Sequence, residues 1–420
     1  MSVTRLTVSE ASAHVLAGLA PLAEETVDLR DALGRVLARD VASPVSLPPW
    51  DNASMDGFAV RASDVRGASP SSPIRLPVAE TIAAGAVRKR VLEPGMAMRI
   101  MTGAPVPEGA DSVIRVEDTA GDAHLVEIRD DRDAIANVRA AGEDVRAGTV
   151  VMRAGTTLGP AQLGVLSSIG CAQPRVHRRP RVAIVATGDE LVPVERFDDV
   201  IAGRRIVSSN SYSLEAAVRA AGGEPVSLGI GADDPETLAQ LLRGAEGCDV
   251  VVTSGGVSVG DFDYTREVVE QLGGTLSLWR VRMRPGAPLA FGRLFGVPWI
   301  GLPGNPVSAL VTFELFGRPL LRTLLGATRP HRRTLPVVLD EALVLRAPLT
   351  HFLRCVLTDE ADDQLHARLT GAQSSGMLTS MSTADALLVV PPEPLHWPAG
   401  SRLRALPLDG DLGGSASFLG

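Results

Sequence analysis

From Arg178 to about Gly326 short apolar runs alternate with amphipathic ones, and no other feature of this 420-residue chain restricts its fold so tightly. RVAIVAT is followed by SYSLEAAVRAAGG, PVSLGIG, DPETLAQLLRGAEG, DVVVTS and DYTREVVEQLGG. LSLWRVRM, PLAFGRLFGVPWIGL and a last helical run, PVSALVTFELFGRPLLRTLL, complete the series. A strand that is apolar on both faces has to be covered on both faces. Strands of that kind separated by helices predict a parallel sheet with helices on each side. Ligands of such sheets collect at the carboxyl ends of the strands.

The flanking sequence has another texture. Ser9 is the expected N-cap of a first helix with Val15, Leu16 and Leu19 on one face, and VDLRDALGRVLARDV continues the helical spacing through Leu29, Leu33, Val36 and Leu37. Short apolar alternations punctuated by Pro and Gly, such as MAMRIMTGAPVPEGADSVIRV, then predict a small β unit, after which strand and helix return. The expected architecture is multidomain α/β plus β. It comprises a discontinuous linker domain (1–46 and 142–177), a β-rich insert (47–141), the α/β domain (178–327) and a C-terminal β domain (328–420).

Composition removes several classes of function. A net charge of −8 argues against a general nucleic-acid binder. No apolar run reaches the roughly 18 residues of a membrane span, and the start MSVTRLTVSE lacks the core of a signal peptide. Cys171, Cys248 and Cys355 are too scattered for a metal or redox motif, so free thiols in a cytoplasmic protein are expected. Lys89 is the only lysine, in a solvated charged run, and no GxxxxGK[ST] loop occurs. A Walker loop is excluded, and a Schiff-base lysine is improbable on chemistry.

The strand-end rule gathers the candidate site. VATGDEL places Thr187, Gly188, Asp189 and Glu190 at the end of the first strand, and GIGADDPE places Asp233 and Asp234 at the second, with Asp234 also a fitting N-cap. The third strand ends in SGGVSVGDFDYT, where Ser254, Gly255, Gly256, Ser258 and Gly260 could cradle a phosphate and Asp263 follows. RVRMRPGAP carries Arg280, Arg282 and Arg284, with Arg282 expected to face away from the other two. GLPGNPVSA brings Pro303 and Pro306 with Asn305 as cap. Carboxylates next to a phosphate cradle make chemical sense if they share a divalent cation with it, as Mg²⁺ does. The same turn matches GxSxG, the nucleophile elbow of α/β-hydrolases. There a helix starts directly after the serine, whereas Gly260 and DFD intervene here, which favours the cradle.

PPWDNASMDGFAV, RIMTGAPVPEGADSVI, AGEDVRAG, VATGDEL, SGGVSVGDFDYT, RPGAPLAFG and GLPGNPVSALVTF, in this order and over nearly the whole chain, resemble the molybdopterin molybdenumtransferases, the MoeA and gephyrin E-domain family. The resemblance implies an enzyme that inserts molybdate into adenylylated molybdopterin, with Mg²⁺ and with release of AMP. It implies an elongated homodimer whose cleft takes Asp56 and Thr102 from the insert across the dimer. It adds Asp144, places Glu190, Asp233 and Asp263 around metal and pterin, and lets Pro303 and Pro306 shape the adjoining turn. FLRCVL and GAQSSGMLTSMSTADALLVVP resemble the family's molybdate pocket, which would put Arg354 and Ser375 on the oxyanion. Arg280 and Arg284 stand where the family usually has lysine, and Ala287 stands where it has another. Transient contacts with the adenylylating protein and with molybdoenzyme apoproteins are further expectations. Two alternatives stay open: adenylyl transfer to molybdopterin, and a molybdopterin-binding scaffold without catalysis.

Overall fold

The computed structural model of the protein describes residues 5–85, 90–256, 264–359 and 364–408. At its centre lie strands β1 (Arg181–Thr187), β2 (Glu224–Gly231), β3 (Val250–Ser254), β4 (Thr275–Arg280), β6 (Pro288–Leu294) and β7 (Val297–Leu302), with a short β5 (Met283–Arg284) between β4 and β6 in the chain. The sheet order is β2-β1-β3-β7-β6-β4. Period-two alternation divides its side chains. Val182, Ile184, Val250 and Ile300 pack on one face with Leu214 and Val218 of helix Ser209–Ala221. Ala183, Val185, Val251 and Trp299 pack on the other with Leu238 and Leu242 of helix Pro235–Arg243. Burial on both faces is why these strands read as unbroken apolar runs.

Four local expectations are corrected, the last of them at the first helix. The sheet is mixed rather than wholly parallel: β2, β1, β3 and β7 are parallel, but β6 is antiparallel to both β7 and β4. PLAFGRLFGVPWIGL is a hairpin, reversed by Phe295 and Gly296 at φ 52° and 79°, which leaves no room for a crossover helix. The arginine-rich strand also breaks after Arg280, so Arg280 ends β4 while Arg284 in β5 pairs with the C-terminal domain. VDLRDALGRVLARDV, in turn, forms only a single 3₁₀ turn, Leu29–Asp31, capped by Asp28. Gly34 takes φ 74°, and beyond it the Leu37 N–H donates to Thr156 O at 2.9 Å. Pairing with a distant segment outweighs local helical spacing.

The first helix, Val8–Leu16, is capped by Thr7 rather than Ser9, because Thr7 and Glu10 close a reciprocal capping box. The insert is a six-stranded sheet whose segments lie in the order 112–115, 57–60, 97–100, 74–82, 125–128 and 119–121. Chain entry and exit run side by side, with Leu47 N donating to Val145 O at 2.7 Å. The last helical run of the α/β domain is continuous from Pro306 to Leu324 but widens to a π turn over Phe313–Gly317. Pro319 has no N–H to donate to the carbonyl a turn earlier, and the widening absorbs that loss.

The C-terminal domain comprises β8 (Leu335–Leu339), β9 (Thr350–Asp359), β10 (Leu365–Leu369), β11 (Ala386–Val390) and β12 (Arg402–Pro407). Their order is β9-β10-β8-β12-β11, β11 pairs back onto β9, and β5 flanks β9 from outside. The result is a closed barrel filled by Val337, Leu353, Cys355, Leu388 and Leu403. Burial pushes the Cys355 thiol up to about 12, so it is an inert core group. No helix among the described residues is long and apolar enough to cross a membrane.

Candidate active site

The carboxyl ends of β1, β2, β3 and β7 open into a cleft of about 740 Å³. Thr187, Gly188, Glu190, Asp233, Ser254, Gly255, Gly256, Pro303 and Pro306, all anticipated from the strand-end motifs or the resemblance, line it. Two glycines are obligatory there. Gly255 and Gly256 have φ 97° and 62°, and a Cβ would lie 2.5 Å from Thr187 O at the first and 2.1 Å from Thr265 Oγ1 at the second. Bare backbone therefore forms the cleft floor, because a Cβ at either position would collide with its neighbours. Gly304, in the turn after β7, approaches so closely that its Cβ would be 3.6 Å from Gly255 Cα.

Opposite the glycines stand acids. Asp189 and Asp233 clasp the ends of β1 and β2: the Asp233 N–H donates to Asp189 Oδ1 at 3.1 Å, and the Asp189 N–H to Asp233 Oδ2 at 3.4 Å. Glu190 is exposed and Asp233 half-buried. Neither forms an ion pair with a basic side chain among the described residues. Two carboxylates facing a backbone cradle without a cationic partner fit a divalent ion held mainly by substrate phosphate and water. No cluster of three or more metal-ligating side chains converges among the described residues. Asp234, the neighbour of Asp233, caps its helix through Thr237 N at 2.8 Å. Ser258, Gly260 and Asp263, and the nucleophile-elbow alternative with them, lie outside the described residues, as does Lys89.

The other anticipated residues do not line this cleft. Asp56 and Thr102 meet each other on the insert, where Asp56 Oδ1 accepts from the Thr102 N–H and hydroxyl. Those two bonds, the backbone one foremost, hold the Asp56 carboxyl below the usual carboxylate range. Asp144 is exposed at the point where the chain re-enters from the insert, its N–H on Leu47 O at 3.0 Å. Arg284 is exposed on β5 in register with His351 of the barrel, while Arg280 is opposite Pro288 of the cleft lining.

Arg354 is wholly buried. Its Nε donates to Ser380 Oγ at 3.0 Å, and its terminal nitrogens donate to the carbonyls of Ala372, Gln373 and Ser374 at 3.1, 3.2 and 3.0 Å. Three of the five guanidinium donors therefore hold the loop at 372–374, and a fourth holds Ser380 in the helix Thr379–Ser382. Burial lowers its pKa from the usual arginine value. The next residue in that loop, Ser375, accepts the Val307 N–H through its carbonyl at 3.1 Å, and Gly376 reaches the cleft lining.

Sequence reasoning missed Asn210. It is 7% exposed in the first turn of helix Ser209–Ala221 and lines the cleft. The strand-end rule did not reach it, because a short parallel pair, Leu191–Val192 with Ile206–Val207, separates β1 from that helix. The available signal was a polar residue at a helix start, which usually means only a cap.

Comparison with known proteins follows this geometry. Residues 6–170 match the family model described as MoeA N-terminal region (domain I and II), residues 183–323 a probable molybdopterin binding domain, and residues 336–408 the MoeA C-terminal region (domain IV). Molybdopterin molybdenumtransferase 2 of Mycobacterium tuberculosis (strain H37Rv) is 40% identical over 385 residues, covering 90% of this chain and 94% of that protein. Molybdopterin molybdenumtransferase of Bacillus subtilis is 34% identical over 387 residues, covering 91% and 89%. The crystal structure of the molybdopterin biosynthesis moeA protein from Pyrococcus horikoshii OT3 superposes with a TM-score of 0.81 at 28% identity, over 96% of this chain and 100% of that one.

Proposed function

The chain belongs to the molybdopterin molybdenumtransferase family, and we propose that its strand-end cleft binds adenylylated molybdopterin and exchanges AMP for molybdate. It is a transferase of molybdenum cofactor biosynthesis. One observation carries the finer reading: the backbone floor at Gly255 and Gly256 lines one cleft with Glu190 and Asp233, neither of which forms an ion pair among the described residues. Such a floor suits a phosphate, and the acids suit the cation that would neutralise it.

In this reading Glu190 and Asp233 would hold Mg²⁺, and the sequence motif adds Asp263 as a further candidate. Mg²⁺ would supply charge stabilisation to the departing phosphate. Pro303 and Pro306 fix the turn that borders the cradle. Arg280 and Arg284 act as permanent charges, since a guanidinium does not deprotonate in a protein. Asp56 and Thr102 come to the site from the insert of a second copy, in a cytoplasmic homodimer that passes product to molybdoenzyme apoproteins.

The test is reconstitution with purified adenylylated molybdopterin. Molybdate-dependent release of AMP, with Mg²⁺ required, is the expected result. Binding of the substrate without turnover would leave a scaffold. Formation of adenylylated molybdopterin from ATP and molybdopterin would identify an adenylyltransferase instead.

A further inference from the structure

The Asn210 side chain joins the two backbone turns that form the floor of the cleft. Its Nδ2 donates to Ser254 Oγ at 2.7 Å and to Gly304 O at 2.8 Å. Ser254 Oγ in turn reaches Pro303 O at 3.4 Å, and Gly255 N donates to Leu302 O at 3.0 Å. One amide on helix Ser209–Ala221 thus ties the end of β3, with its two left-handed glycines, to the turn after β7. The orientation of the amide is dictated chemically: Gly304 O only accepts, so nitrogen must face it.

The same side chain carries a cost to the fold. Its Oδ1 is buried and has no hydrogen-bond partner among the described residues. A buried acceptor without a donor destabilises the folded state, and an apolar residue of similar volume would avoid that. Local choices that oppose stability concentrate at functional sites.

We infer that Asn210 is a positioning residue, which sets the spacing of the Gly255–Gly256 and Gly304 turns and thereby tunes the floor to a phosphate group. The inference rests on the reading of this floor as a phosphate cradle. Asn210 acts through those backbone N–H groups of the turns that are not, like that of Gly255, bound within the protein, and its removal lets them drift apart without removing any of them. Because the cradle reads the phosphate and not the rest of a nucleotide, the loss falls on phosphate recognition.

The experiment compares AMP and adenosine as probes by calorimetry, on the intact protein with Mg²⁺, in wild type, Asn210→Leu and Asn210→Ala. Wild type is expected to prefer AMP, and both variants to lose about 10-fold or more of that preference while adenosine affinity changes little. The preference is a ratio of affinities measured on one folded population, so a partly unfolded variant still reports it. Asn210→Leu should melt no lower than Asn210→Ala. If wild type prefers AMP and both variants keep the full preference, the positioning role is refuted. A wild type that does not distinguish AMP from adenosine defeats the phosphate-cradle reading itself.

Discussion

Asp56 receives two hydrogen bonds on a single oxygen from Thr102: Oδ1 lies 2.6 Å from the backbone N and 2.8 Å from Oγ1. The carboxylate is thereby fixed in one rotamer on an exposed surface, with its second oxygen left over. Thr102→Val removes the hydroxyl bond and keeps the backbone one. The Asp56 pKa should rise toward the ordinary carboxylate value, which carboxyl-carbon NMR titration would follow, and molybdate insertion should fall with no loss of folding. An unchanged titration would show that the hydroxyl is not what depresses it.

Glu190→Gln and Asp233→Asn should separate chemistry from stability. Loss of metal polarisation is worth several kcal/mol of barrier, so turnover should drop by about 10²-fold or more. Glu190 is exposed and outside any ion pair among the described residues, so its replacement should change stability by only about ±0.5 kcal/mol, and Asp233→Asn keeps an oxygen that can accept the Asp189 N–H. AMP-release kinetics and urea unfolding read the two effects. Near-wild-type AMP release by Glu190→Gln would remove it from the site.

Arg354→Ala should behave differently from a simple ligand deletion. It removes a buried guanidinium that donates three hydrogen bonds to the loop at 372–374 and one to Ser380, so unfolding free energy should fall by about 3 kcal/mol or more. Molybdate response and thermal stability should then decline together. A variant with wild-type stability and selectively weakened molybdate affinity would instead make Arg354 a direct anion ligand.

Arg284→Lys should remain active if Arg284 acts as a fixed charge, whereas Arg284→Ala should lose about 10²-fold, the usual effect of removing one preorganised donor. Equal inactivity of both variants would rule out a point charge as sufficient. A fully active alanine variant would place the residue outside the chemistry.

The insert should weaken in acid through Asp133. The Arg115 guanidinium donates to both of its oxygens at 2.8 Å and holds its carboxyl below the ordinary range. A depressed pKa contributes stability that is present above the unfolded value, about 3.9, and is lost as pH falls through the folded value. Arg115 is 33% exposed, so screening limits the pair to about 1–2 kcal/mol at pH 7. Melting of Asp133→Asn and wild type should differ most at neutral pH and converge below about pH 4. A gap independent of pH would refute the assignment.

The sheet was legible because its central strands β1, β3 and β7 advertise two-sided burial, and the cleft followed because strand ends gather ligands in such sheets. What stayed hidden depended on distant partners. Leu37 satisfies helical spacing but gives its N–H to Thr156, over a hundred residues away in sequence, so periodicity misled. The hairpin at Phe295 and Gly296 lacks an Asn-Gly signal, and its apolar run looked like any other strand. Arg354 entered through the resemblance of FLRCVL to a molybdate pocket, yet nothing local in that segment reveals that the loop at 372–374 wraps its guanidinium. Asn210 is informative only once Ser254 and Gly304 are seen beside it.

The barrel contributes more than a wall. Phe352, Leu387 and Leu406 belong to the same apolar cluster as Val182, Ile300 and Leu320 of the α/β domain and Val15 of the first helix. A boundary drawn near residue 327 is therefore not a boundary of energy. Cutting the chain there would wet a surface built to stay dry, so the excised α/β piece should aggregate where the whole chain remains dispersed. Selection on the barrel is, for the same reason, selection on the cleft: a core substitution at Leu387 would reach the strands that carry the glycine floor without touching any residue that lines it.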